Sequence, residues 1–392
     1  MTPAAGRNPP HIVTLVALGG VASLSQNVFL PSLPGMARDF SVDYSVMQLS
    51  VTAYLAASAV IQFLVGPVSD RFGRRPVMLW SMVVFLLATV GTLVAPTAAW
   101  FLTFRMIQAA ITVGMVVPRA VIRDIAPPDR AASLIGYVTM GISVIPMLAP
   151  VLGGALDEAF GWRANFLMLG LSGLAVGALA FADMGETARS GGRSLFAQMG
   201  TYPILLRSRR FWGYCLAATF GSGAFFAYLG GAPFVGGEVF HMGPAEVGYW
   251  FMAPSIGYLV GNFIAGRYSQ RVGMDRMIAW GAVVTSASLG VSLSLDLMGS
   301  TTPLTFFGAV TMMGLGNGIL LPNANAGILS ARADLAGTAA GLGGAMMVAG
   351  GAALAGIAGS LLVPGAGAMP LLAIMAASSV GSLLAMGLVR RR

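Results

Sequence analysis

The sequence predicts an all-α integral membrane protein of twelve transmembrane helices, arranged as two pseudo-symmetric six-helix halves. Three observations carry that prediction. Of the 392 residues, 56% are hydrophobic and only 9% are charged, whereas an average soluble domain is about 25% charged. Uncharged runs long enough to cross a bilayer recur along the whole chain, and the second half repeats landmarks of the first. A water-soluble fold of this length could not clothe its surface with so few charges; an apolar solvent removes that demand. The 53 glycines suit the same solvent, where small residues let helices approach and pack by dispersion.

A bilayer core needs roughly 20 apolar residues per helix. Runs of that kind are Ile12–Ala37, Tyr44–Ser69, Pro76–Phe104, Ala131–Leu156, Ala164–Ala182, Phe211–Gly237, Val247–Gly266 and Met277–Leu295. Leu297–Ala331 supplies one helix and its loop. Leu335–Val389 is too long for one span, and Pro364-Gly365-Ala366-Gly367 is a turn signal that splits it in two. A further helix, about Trp100–Ile122, contains Arg105 and Arg119. The first run is too long for the apolar core of a signal peptide, so it counts as a helix that Pro31 and Pro34 are expected to end.

All 22 basic residues are Arg, and the net charge is +8. An even number of spans puts both termini on one side. Arg71, Arg74, Arg75, Arg123, Arg130, Arg189, Arg193, Arg207, Arg209, Arg210, Arg271, Arg276, Arg332 and Arg390–Arg392 fall on that side. Opposite them lie Arg38 and Arg163 among acids such as Asp43, Asp157, Glu158, Glu238 and Glu246. The positive-inside rule then makes both termini cytoplasmic. The basic charge is a topology signal, and nucleic acid drops out as a partner. One cysteine, Cys215, and two distant histidines, His11 and His241, exclude an internal disulfide and leave no metal or haem ligand set. With no cluster of His, Cys or carboxylates, an enzyme is not expected either.

The longest polar stretch, Asp183 to Arg210, holds Gly191-Gly192 and reads as a cytoplasmic linker with room for a short interfacial helix. Residues 1–183 form the N-terminal half, 184–210 the linker and 211–392 the C-terminal half. Gly66, Ser69, Arg71, Gly73 and Trp80 recur 200 positions later as Gly266, Ser269, Arg271, Gly273 and Trp280. Gly114, Pro118, Ala120, Asp129 and Gly136 match Gly318, Pro322, Ala324, Asp334 and Gly341. Repeated halves of this kind are a transporter architecture, with the cargo site between them near the bilayer midplane.

Three segments carry chemistry beyond hydropathy. In the loop Gly66–Arg75, paired glycines permit tight backbone approach, Asp70 can accept from an Arg or a helix N-terminus, and the Arg cluster anchors the loop at the membrane face. Arg105 is the charge that lies well inside an apolar span, at a cost of about 2.5–3.5 kcal/mol on insertion scales. It either faces a cavity or snorkels to the interface. Pro146 and Pro150 bend the fifth helix, and Gly153-Gly154 allows another helix to cross closely.

The first of these segments closely resembles the signature loop of the major facilitator superfamily. That resemblance implies that Asp70 ties to the end of helix four, at Arg123, and to the start of helix eleven, near Ala336, closing a cytoplasmic gate. Gly66, Asp70, Arg71, Gly73, Arg74, Arg75 and Arg123 are then the gating residues; Gln270 replaces the acid in the second copy, which makes the latch asymmetric. Arg105-x-x-Gln108 is similar to the family's helix-four motif, with Ala109 in place of its usual Gly. Pro146, Pro150, Gly153 and Gly154 resemble the antiporter motif of its exporters.

Leu30-Pro31-Ser32-Leu33-Pro34, Thr52-Ala53-Tyr54, Arg119–Asp124 and Gly161-Trp162-Arg163 look like the bicyclomycin/chloramphenicol/florfenicol-type drug/proton antiporters. The match covers essentially the whole chain, with its motifs concentrated in the first half. It implies a monomeric multidrug or metabolite exporter of the bacterial inner membrane, with no cofactor beyond a coupling proton. Gln26, Asn27, Tyr54, Arg105 and Gln108 would line the cavity from one half, and Phe225, Phe226 and Tyr228 from the other. One departure matters: the family's helix-one Asp is Asn27 here, which cannot titrate. Proton coupling through Asn27 and Arg105 and an uncoupled facilitator therefore both stay open at this level.

Overall fold

Residues 10–188, 202–332 and 335–390 are described by a computed structural model. Arg189, Gly191, Gly192, Arg193, Asp334, Arg391 and Arg392 lie outside those residues, as do the side chains at Ala336 and Arg390. Among the described residues the chain forms twelve helical rods. The N-terminal six are α1 (Ile12–Asp39), α2 (Tyr44–Phe72), α3 (Arg74–Leu93), α4 (Ala98–Ile125), α5 (Pro128–Ser143 continued as Ile145–Phe160) and α6 (Arg163–Asp183). The other six are α7 (Arg209–Val239), α8 (Pro244–Trp250 continued as Ala253–Val272), α9 (Met274–Leu297), α10 (Pro303–Ser330), α11 (Ala336–Leu361) and α12 (Met369–Arg390). Eleven are long and apolar enough to cross a membrane. The exception is α8, which a turn at Phe251–Met252 breaks and which carries Arg267 and Arg271. Between the halves, Tyr202–Leu206 forms a short helix.

Two expectations need correction. Pro31 and Pro34 do not end the first rod. Each sits in the opening turn of a short continuation, where a missing N–H costs nothing, so the rod bends at Leu30–Ser32 and runs on to Asp39. Nor is Gly66–Arg75 a loop. Helix α2 continues through Phe72, α3 starts at Arg74, and Gly73 alone makes the joint at φ +98° and ψ 147°. Gly273 makes the equivalent joint between α8 and α9 at φ +90° and ψ 145°. These left-handed values favour glycine, so the 200-residue repeat is a repeat of backbone geometry.

Apolar side chains divide the molecule into two cores. One runs the length of the N-terminal half, from Met78 and Ile122 onward, and takes in the C-terminal half at the end where α1 meets α2, mixing Val28, Phe29 and Met47 with Tyr228, Phe234, Ala358 and Leu371. At the other, arginine-rich end, the C-terminal half keeps a core of its own around Phe211, Cys215, Ile278, Ile328 and Met386.

Candidate functional site

The deepest charge in the N-terminal half is enclosed. Arg105 is 1% exposed. Its Nε donates to the Ser50 carbonyl at 3.3 Å, and its Nη2 to the Ser25 carbonyl at 2.7 Å. Nη1 reaches the Ser25 hydroxyl at 3.1 Å and Gln108 Oε1 at 2.9 Å. The guanidinium also lies between the rings of Phe29 and Tyr54, at 4.4 and 3.9 Å from their centroids. Hydrogen bonds to a charged group contribute about 1.5–3 kcal/mol each, enough to offset the insertion cost. The guanidinium therefore does not snorkel to the interface, and in this structure it is enclosed rather than facing an open cavity. Gln108 donates its other end to Thr89 Oγ1 at 2.8 Å, so this polar box is full.

Asn27 is buried on α1, and its Nδ2 donates to the Ser23 carbonyl at 2.7 Å. A protonated carboxyl could make that bond; a carboxylate could not. Beside it Gln26 is half-buried, and its side chain makes no hydrogen bond to the described residues. Across the bundle, Phe225 and Phe226 are half-buried on α7 and Tyr228 is fully buried, stacked on Phe225 with ring centroids 6.3 Å apart. The structure thus groups Tyr54, Arg105 and Gln108 in one sealed cluster, and Phe225 and Tyr228 in another place. A shallow apolar groove of about 460 Å³ between α3 and α6, lined by Leu79, Trp80, Leu86, Leu174 and Phe181, presents no polar chemistry.

The halves meet along two seams at the end away from the arginines. In the α2–α11 seam, Gln48 Nε2 donates to the Ala355 carbonyl at 3.0 Å, and the side chain fits between Gly230 of α7 and Gly359 of α11. One helical turn away, the Tyr44 hydroxyl donates to the Gly230 carbonyl at 2.6 Å. In the α5–α8 seam, bare glycines carry the crossing: Gly154 faces the Pro244 carbonyl and Gly248 faces the Pro150 carbonyl. Gly153 does the same against the Val28 carbonyl of α1. Among the described residues, the hydrogen bonds joining the halves are those of Tyr44 and Gln48, both at this end.

At the arginine-rich end the expected partner of Asp70 is replaced. Asp70 pairs with Arg74, one turn on across the Gly73 joint, and Arg74 Nε reaches Asp124 Oδ2 at 3.1 Å. Arg123 points away, exposed, because it lies 100° around the helix from Asp124. Arg74 also donates to Ser69 Oγ at 2.6 Å and to the Gly66 carbonyl at 3.4 Å. Glu186, beyond α6, accepts from the Arg74 and Arg75 amides at 2.9 and 3.3 Å, so it caps α3. Gly73 has space only for that carboxylate where a Cβ would be. Arg71 is exposed, while Arg75 donates to the Phe181 carbonyl at 3.0 Å.

Tyr44, Gln48 and Glu186 carry none of the motifs or deep charges that mark a site in the sequence. The available signal was an amide within an apolar span, which must find a partner wherever water is absent.

Two repeated six-helix halves, joined tightly at one end and separately packed at the other, define a membrane carrier with access from one side at a time. The profile of the Major Facilitator Superfamily matches residues 15–353, and the chain belongs to that family. It is 30% identical over 368 residues to multidrug resistance protein D of Escherichia coli strain K12, covering 93% of this chain and 92% of that one. It is 27% identical to a bicyclomycin resistance protein homolog of Haemophilus influenzae, over 95% and 94% of the two chains. Among solved structures, a D-xylose–proton symporter superposes with a TM-score of 0.74 at 14% identity, covering 97% of each chain. An inward-facing, unoccupied bacterial homolog of the lysosomal transporter Spinster gives 0.72 at 16% identity, over 96% and 94%.

Proposed function

We propose that this protein exports small molecules, drugs among them, from the bacterial cytoplasm by alternating access, acting as a monomer. The observation that carries the reading is the one-sided closure of the halves through Tyr44, Gln48 and the α5–α8 glycines. The drug-resistance relatives supply the direction and the cargo class. The arginine distribution supports cytoplasmic termini and makes the open end the cytoplasmic one, ready to load. The sealed mouth is then the outer one. Asp70, Arg74 and Asp124, paired within their own half at the open end, form the N-terminal side of the inner gate, with Arg74 rather than Arg123 as the cation. Proton exchange accompanies export in the drug/proton antiporters this chain resembles. Asn27 holds its helix in the hydrogen-bonded form a protonated acid would adopt, and it cannot release a proton.

The test is efflux of chloramphenicol from proteoliposomes under an imposed pH gradient, with this protein and its Asn27→Asp variant side by side. The expected outcome is binding by both, weak gradient-driven export by the Asn27 protein, and pH-dependent export by the variant. Strong gradient-driven export by the Asn27 protein would move the proton carrier elsewhere, with Asp124 the first position to substitute.

A further inference from the structure

Helix α10 is committed on the faces that meet α8 and α9. A Cβ at Gly314 would meet the Pro254 carbonyl of α8, one at Gly316 the Gly281 carbonyl of α9, and one at Gly318 the Tyr258 carbonyl of α8. Asn317, between the last two glycines, points instead at α7, where a Cβ on Gly221 would come within 3.3 Å of its Oδ1. It is 3% exposed, and that oxygen has no hydrogen-bond partner. Its Nδ2 donates to none of the described residues either. Asn262 and Asn323, in the same half, donate to the carbonyl four residues back at 2.8 Å each. Asn317 forgoes that bond.

Gly221, Phe225 and Tyr228 share one face of α7, being four and three residues apart. Tyr228 is 0% exposed, and its hydroxyl has no partner. Along the helix, Tyr228 stands about 10 Å from Gly221, at 1.5 Å per residue. Two unpartnered polar groups therefore flank the half-buried ring of Phe225 near the middle of the membrane. Leaving such groups unpaired destabilises a resting fold, so packing alone gives no reason for them.

The Arg105 cluster of the N-terminal half presents the opposite case. Arg105 and Gln108 already hold partners at each end of their polar groups. Every Asp and Glu among the described residues lies in a loop or within four residues of a helix end. A cationic cargo would find no counter-ion at this depth, and an anionic one would have to break open the Arg105 box.

Resting on the exporter reading, we propose that Asn317 and Tyr228, on either side of Phe225, form the hydrogen-bonding subsite for cargo. The subsite selects neutral compounds with an aromatic body and hydroxyl or amide groups. Chloramphenicol has that chemistry, and tetraphenylphosphonium is a lipophilic cation without it. Binding of both probes to purified protein is to be measured for Asn317→Leu and Tyr228→Phe, with thermal unfolding alongside. Each variant should weaken chloramphenicol binding about tenfold, leave any tetraphenylphosphonium binding unchanged, and unfold no earlier than the parent, since no internal bond is lost. Unchanged chloramphenicol affinity in both variants overturns the subsite. So does a parent protein that binds the cation and not the neutral probe. A structural role would instead lower the unfolding temperature of the variants. Efflux in cells lacking other exporters separates the two readings: its absence from both the parent and the Asn27→Asp variant defeats the exporter reading itself, whereas efflux unaffected by Asn317→Leu and Tyr228→Phe defeats only the subsite.

Discussion

The two seams that join the halves are related by the internal repeat, and they are built differently. Gln48 of α2 and Gly248 of α8 are 200 residues apart, at the same point of their halves. On one side an amide side chain reaches across to Ala355 and lodges between two glycines. On the other there is no side chain, and backbone lies on backbone at Gly154 and Gly248. A flexible side chain can yield by a rotamer change, whereas a carbonyl held in a helix cannot. The difference teaches that the α5–α8 seam is the rigid bearing of the closure and the α2–α11 seam its adjustable contact.

Substitutions can break that contrast. The largest effect is expected from Gly154→Val or Gly248→Val. Each drives a branched side chain into a carbonyl of the facing helix, a strain of about 3 kcal/mol. The form with both seams closed should lose population on the order of a hundredfold, which spin-label distances between the α5–α6 and α7–α8 loops would register as a wide, separated distribution. A smaller change follows from Gly359→Ala, where the atoms nearest the methyl belong to the Gln48 side chain. We expect roughly a fivefold shift towards the form with the seams parted, about 1 kcal/mol; a shift as large as that of Gly248→Val would erase the distinction between the seams. Smallest of all is Gln48→Met. It removes the bond to Ala355 and, with it, the buried Oε1 that has no partner. Those terms oppose one another, so the closed population should change by less than about threefold. A large opening would mean that this single bond, rather than the shape of the slot, holds the seam.

Much of this was legible from residues alone. Membrane helices declare themselves by hydropathy, so the spans and the turn at Pro364–Gly367 emerge without tertiary information. Gly73 and Gly273 were legible because no other residue rests comfortably at their φ values. Less visible was which arginine Asp70 would hold. Arg74 and Arg123 are both near in sequence logic, and the choice depends on the turn through Gly73 and the rotation of Asp124 on α4. The burial of Arg105 was equally hidden, since its partners are carbonyls of Ser25 and Ser50, which every sequence possesses. Gln48 and Asn317 escaped notice because an amide leaves hydropathy almost unchanged, and its meaning rests on what lies opposite.

The Arg105 box also bears on how the protein is made. Ser25, Phe29, Ser50 and Tyr54 all precede Arg105 in the chain, and Gln108 follows it by three residues. Synthesis proceeds from the N-terminus at about 5–20 residues per second, so α1 and α2 have emerged before the guanidinium arrives. Nothing from the C-terminal half is needed to neutralise the cost of lodging it in lipid. The N-terminal half can therefore complete its polar interior while the ribosome is still translating α7, whereas the seams between the halves must wait for α8 and α11.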